Sequence, residues 1–134
     1  RSHKASEIYF QNGIIVIVGE NGSGKTNILE AISLLAPGRG FRSSNSRELR
    51  RIPEDVGWKI MADLDSFGQL YEIITTVKDQ NFRKVIIDGE NSSQVKLGRL
   101  LKILWLTPSM DRIWSEGASG RRKFLDRLVL NFEP

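Results

Sequence analysis

Eight residues near the start constrain this chain more than any others. Gly19-Glu20-Asn21-Gly22-Ser23-Gly24-Lys25-Thr26 satisfies G-x-x-x-x-G-K-[ST] in full. The run before it, Ile14 to Val18, is continuous and β-branched, which predicts a strand buried on both faces of an α/β sheet. The run after it, Lys25 to Leu35, places Ile28, Leu29, Ala31, Ile32 and Leu35 at helical spacing. Strand, glycine turn and helix in that order are the context in which such a loop holds phosphate. Its glycines admit positive φ and bring the backbone close to an anion. Successive N–H groups and the helix N-terminus face that anion. Lys25 adds a point charge within reach of β- and γ-phosphates, and Thr26 offers a hydroxyl to Mg²⁺.

The loop does not choose a reaction, because small-molecule kinases, GTPases and chemomechanical ATPases share it. Hydrolysis also needs an acidic group at the end of an apolar strand. Val85-Ile86-Ile87-Asp88 is the nearest approach, but Gly89 follows and the pair reads as a hairpin turn. Ile103 to Leu106, a short apolar strand by pattern, stops at Thr107-Pro108. A complete phosphate loop without that acid reads as the first half of an ATPase.

The remaining pattern fills in an architecture. Glu7 to Gln11 reads as a strand turning at Asn12-Gly13 into Ile14 to Val18. Trp58 to Leu64, Leu70 to Val77 and Arg83 to Ile87 predict an antiparallel meander with one solvated face. Val95 to Lys102 and Ser119 to Leu130 predict helices, the second with a stripe of Phe124, Leu125, Leu128 and Val129. Trp58, Trp105 and Trp114 are read as core or rim anchors, and His3 as a polar residue of the terminus.

Composition removes several alternatives. With no Cys and one His, disulfides, thiolate metal sites and cysteine nucleophiles are excluded, and His-rich cages are too. The longest apolar run falls far short of the roughly 20 residues of a membrane span. The chain carries 20 Lys and Arg against 16 Asp and Glu, a formal charge of +4. That excess is concentrated. Arg39, Arg42, Arg47, Arg50 and Arg51, opposed by Glu48, supply +4 by themselves. Set among Ser43, Ser44, Asn45 and Ser46, they form a candidate phosphate-contacting loop for DNA, with a solubilising surface as the plainer alternative. Arg121, Arg122, Lys123 and Arg127 form a second cluster, opposed locally by Asp126, and a structural or interface role is expected for Arg121 and Arg122.

At this point the order of motifs resembles the RecF family, within the RecF/SMC/Rad-type ATPases of the ABC superfamily. The resemblance rests on Arg1-Ser2-His3, the turn at Asn12-Gly13, Gly19 through Asn27, and Leu29-Glu30-Ala31-Ile32. It continues through Gly38-Arg39-Gly40-Phe41-Arg42-Ser43, Trp105 to Arg112, and Glu116 to Arg127 with its Arg-Arg-x-Phe-Leu-Asp string. It is weakest between about Pro53 and Gln94.

That resemblance implies an α/β, P-loop ABC-type ATPase head: a central sheet, a phosphate loop leading into a helix, and a β-meander at about residues 55–90. Residues 1–134 read as an incomplete, N-terminal part of that head. Gly19, Glu20, Asn21, Gly22, Ser23, Gly24, Lys25, Thr26 and Asn27 would hold ATP and Mg²⁺, with Thr26 as the metal ligand. Arg1 would lie near the nucleotide, and Asp111 near the γ-phosphate unless it caps a helix. The family implies a cytoplasmic bacterial protein of recombinational repair, replication restart and the SOS response. Such proteins bind DNA, form ATP-dependent homodimers and work with RecO and RecR to load RecA at gapped DNA. The capping signature, the acidic metal strand and the general base of the family are absent from these residues, so binding without hydrolysis is expected. An SMC-like chromosome-maintenance ATPase, a small-molecule P-loop kinase and a non-catalytic DNA-binding module are the competing classes.

Overall fold

The computed structural model describes residues 5–41, 57–78, 82–113, 115 and 117–132. In chain order these form α1 (Lys25–Ser33), β1 (Trp58–Ser66), β2 (Gln69–Val77), β3 (Lys84–Ile87), β4 (Glu90–Ser92), α2 (Gln94–Leu100), a 3₁₀ turn (Pro108–Met110) and α3 (Ala118–Phe132).

The meander forms as its alternation predicts. Strands β1 to β4 make one antiparallel sheet in sequence order. Trp58 lies opposite Val77, Ile73 opposite Ile87, and Val85 opposite Ser92. Two-residue loops join β1 to β2 and β3 to β4, and both have positive φ throughout: Phe67 54° and Gly68 79°, then Asp88 51° and Gly89 78°. That geometry matches the right-handed twist of paired strands. Strand β4 escapes the sequence pattern because Glu90-Asn91-Ser92 carries no apolar residue. The Asp88-Gly89 turn folds it back onto β3 regardless of its own propensity.

One face of the sheet is covered. Ile73, Val85 and Ile87 meet Leu97 of α2 and Leu35 from just beyond α1 in a buried cluster. Each such side chain contributes about 1.5–3 kcal/mol by leaving water. Helix α2 starts at Ser93, whose hydroxyl accepts from the Lys96 N–H at 3.1 Å and so satisfies a first-turn donor.

Three expected strands are corrected. Residues 7–11 and 14–18 make no ladder among the described residues, and Ile14, Val16 and Val18 are exposed. β-branched side chains favour an extended backbone, but a strand exists only through a neighbour's hydrogen bonds. The same lack of a covering layer leaves Leu29 half-exposed on α1, where the buried positions are Glu30 and Ser33. Residues 103–106 likewise make no ladder among the described residues, alternating half-buried Ile103 and Trp105 with exposed Leu104 and Leu106. Helix α3 forms as expected, but Leu125 and Val129 of its predicted stripe are exposed, while Phe124 and Leu128 are half-buried.

Candidate functional site

The loop between residues 19 and 24 is shaped by its glycines. Gly22 and Gly24 have φ of 85° and 91°, a region that costs other residues about 1–2 kcal/mol. The Ser23 N–H donates to the Glu20 carbonyl at 3.2 Å, tightening the turn. A Cβ on Gly19 would stand 2.9 Å from the Ser23 hydroxyl, so the loop closes on itself at a point where no side chain fits.

Gly24 is the N-cap of α1 and lies in the left-handed region, so it brings no side-chain acceptor to the first-turn N–H groups. The Gly24 carbonyl already accepts from Asn27 and Ile28. A helix end of this kind favours an anion through its unpaired N–H groups and its dipole. Lys25 completes the charge. Its ammonium donates to the carbonyls of Gly19 and Glu20, both at 2.6 Å. The lysine therefore lies back over the loop it would serve, and its bonds are to neutral acceptors that phosphate oxygens exceed in strength. Thr26 follows in the first turn and is exposed, so its hydroxyl is accessible to a metal ion; Asn27 is half-buried. These residues fit a nucleotide triphosphate with its Mg²⁺.

The far end of α1 is held by a residue that the sequence pattern gave no reason to single out. Arg83, read there only as the first residue of a strand, donates to the carbonyls of Leu34, Ala36 and Gly38, and to the Thr75 hydroxyl at 2.7 Å. The Leu34 carbonyl belongs to the C-cap of α1, and those of Ala36 and Gly38 to the turn that follows. Burial pulls the Arg83 pKa down to about 10, which still leaves it charged at neutral pH. Ser33 secures the same turn: its hydroxyl donates to the Glu30 carbonyl at 2.7 Å and accepts from the Phe41 N–H at 3.0 Å.

Asp88 is a turn residue. Its carboxylate accepts from the Glu72 N–H at 2.8 Å, and its own N–H donates to the Glu72 carbonyl at 2.9 Å. Asp111 ends the 3₁₀ turn, seven positions ahead of α3, and caps no helix N-terminus. Arg39 is exposed. Arg1, Arg42, Arg47, Arg50 and Arg51 lie outside the described residues, as do His3 and Trp114. Asp126 makes no ion pair among the described residues; Arg127 instead stacks on Trp105, with its guanidinium carbon 4.3 Å from the ring centroid. No described helix is long and apolar enough to cross a membrane.

A family model described as an AAA domain matches residues 1–124. The DNA replication and repair protein RecF of Rhizobium rhizogenes is 39% identical over all of this chain, and that of Rickettsia akari 43% identical. The chain spans 37% of the length of each of these relatives. Among solved structures, the recombination mediator protein RecF-ATPrS of the RecFOR pathway superposes with a TM-score of 0.71 at 29% identity, covering 84% of this chain and 31% of that one. The corresponding RecF-ATP structure gives 0.67 at 30% identity, with the same coverage. The ATPase-head fold expected from the sequence is the fold these structures share.

Proposed function

The chain belongs to the AAA domain family, and from that premise we propose that it is the nucleotide-binding part of a RecF-type DNA replication and repair protein. One observation carries the reading: a complete phosphate loop, Gly19 to Thr26, closes over an α1 N-terminus that has no side-chain cap, with the Lys25 ammonium in place.

Residues 19–24 would surround the β-phosphate with backbone N–H groups, and the Lys25 ammonium would leave the Gly19 and Glu20 carbonyls for phosphate oxygens. The Thr26 hydroxyl would ligate Mg²⁺, which when bound neutralises phosphate charge. Arg1, by family resemblance, would approach the nucleotide. The 134-residue chain binds ATP without hydrolysing it, since it carries no acidic metal strand and no general base in the family pattern. The intact protein hydrolyses ATP as a homodimer that sandwiches the nucleotide.

DNA is the second ligand. Arg39, Arg42, Arg47, Arg50 and Arg51 would contact phosphates, and RecO, RecR and the loading of RecA at gapped DNA in the cytoplasm complete the role. The test is ATP binding by the full-length protein, by calorimetry with Mg²⁺ present. Lys25→Ala should weaken it at least about tenfold, equivalent to about 1.4 kcal/mol. Unchanged affinity in Lys25→Ala would overturn the nucleotide assignment.

A further inference from the structure

Strands β1 to β3 turn one face to Leu35 and to Leu97 of α2. The opposite face carries a regular pattern. Residues directly opposite in an antiparallel ladder share a face, so the register lays it out row by row. The middle row is apolar: Met61 lies opposite Ile74, and Ile74 opposite Ile86. Met61 is 58% exposed. Two residues to one side, Lys59 lies opposite Thr76, and Thr76 opposite Lys84. Two residues to the other side, Asp63 lies opposite Glu72. Lys59, Lys84, Asp63 and Glu72 are all exposed.

The acid row works against the sheet that holds it. Like charges directly opposite on neighbouring strands are destabilising. No cation pairs with Asp63 or Glu72 among the described residues, and no acid pairs with Lys59 or Lys84 there. The two rows cannot neutralise each other within one molecule. They lie four residues apart, about 13 Å at the rise of a strand, beyond the combined reach of the side chains.

The rows are, however, evenly placed, each about 7 Å from the apolar row. A two-fold axis along the apolar row brings the lysine row of one copy over the acid row of another. It also sets Met61, Ile74 and Ile86 against their own counterparts. A two-fold axis along the strands would set lysine on lysine and acid on acid. Sheets pack face to face about 10 Å apart, with strand directions within about 30°, a gap that the side chains of two such faces fill.

We propose that this face of the meander is a contact between two copies of the chain, packed antiparallel about the Met61–Ile74–Ile86 row. Charge selects the occupant. The acid row repels nucleic acid, and a protein surface of one sign would meet a like-charged row at one end. A second copy offers both signs at the required spacing, as a self-complementary two-fold contact does. The face is turned away from α1, whose end packs through Leu35 on the other side of the sheet. The contact therefore needs no nucleotide and leaves the phosphate loop open, which separates it from the nucleotide-dependent pairing proposed above. Association depends on concentration, so the face is solvated in dilute protein.

The test is sedimentation velocity of the full-length protein across a concentration series, with EDTA and no nucleotide. Wild type should dimerise, and less tightly as added salt screens the charge rows. Lys59→Glu with Lys84→Glu makes both rows acidic, and Asp63→Lys with Glu72→Lys makes both basic. Each double variant alone should raise the dimer dissociation constant at least about tenfold. Mixed in equal amounts, the two should associate as a heterodimer, and all four changes in one chain should restore the homodimer. Rescue by mixing is a result that damaged folding could not give. A wild type that stays monomeric at every concentration would overturn the proposal, as it would if other residues of the full-length protein cover the face. Association unchanged in both double variants would also overturn it. So would loss of duplex DNA binding in the lysine variant with association unchanged, which would assign the lysine row to DNA. ATP binding, and its loss in Lys25→Ala, should be the same with either face, so the nucleotide reading stands or falls separately.

Discussion

Arg83 donates to the carbonyl of Leu34, 49 residues earlier in the chain. This bond, with those to Ala36 and Gly38, ties the C-terminal end of the phosphate-loop helix to the start of β3. The helix that begins at the glycine-rich loop therefore ends on the meander. The two parts of the described structure meet through one half-buried cation as well as through Leu35 in the apolar cluster.

Arg83→Gln should destabilise the protein by about 1–3 kcal/mol, since it removes the guanidinium from the part-buried carbonyls of Leu34 and Ala36. Arg83→Lys should recover only part of this, because an ammonium cannot span the same fork of acceptors. Urea unfolding midpoints would measure both. The pH dependence follows from the burial shift. Arginine in the unfolded chain keeps its ordinary, higher pKa, whereas Arg83 in the fold titrates at about 10. Above that pH the unfolded chain holds the proton more tightly, so this group makes stability rise with pH there. At neutral pH the group is charged in both states, and the difference between wild type and Arg83→Gln should stay constant.

The glycines at 38 and 40 offer a paired comparison. Both have positive φ, 91° and 70°. A Cβ at position 38 meets open space, while one at position 40 would stand 2.8 Å from the Ser33 hydroxyl and 3.1 Å from a Leu34 methyl. Gly38→Ala should cost about 1–2 kcal/mol from backbone strain alone. Gly40→Ala should cost more, and Ser33→Ala in the same chain should return part of the difference. Thermal unfolding of wild type, Gly40→Ala, Ser33→Ala and the double variant gives the coupling directly.

Much of this was legible in the sequence, and what escaped shares one cause. The phosphate loop, α1, the meander and α3 follow from local spacing, since each is specified by its own glycines or its own apolar period. The roles of Arg83, Trp105 and Arg127 depend on contacts between segments far apart in the chain, which no local pattern encodes. The run Ile14 to Val18 marks the opposite failure. Its composition predicted a strand, but pairing is a property of a neighbour, and the described residues provide none.

Ile73→Ala should be among the most damaging core substitutions. Its side chain is wholly buried at the centre of the sheet's covered face, against Val85, Ile87 and Leu97. Loss of the buried methyl and methylene groups, with the cavity left behind, costs about 2–5 kcal/mol. Met61→Ala, on the solvated face of the adjacent strand, should stay within about 0.5 kcal/mol of wild type. Equal losses at the two positions, read from denaturant midpoints, would contradict the assignment of the faces.

Asp88→Asn separates a turn role from a metal role. In the structure the carboxylate accepts one backbone N–H, that of Glu72, and the residue sits at φ 51°. Asparagine tolerates that conformation and offers a carbonyl oxygen in the same place. Asp88→Asn should therefore leave stability within about 0.5 kcal/mol of wild type, whereas Asp88→Ala should cost about 1–2 kcal/mol through the lost bond and the strained backbone. Neither change removes a metal ligand if Thr26 is the protein's contribution to Mg²⁺. Both variants should then bind ATP with the same Mg²⁺ requirement as wild type. A loss of Mg²⁺-dependent ATP affinity in Asp88→Asn, with folding intact, would place the carboxylate at the nucleotide and reverse the reading of this hairpin.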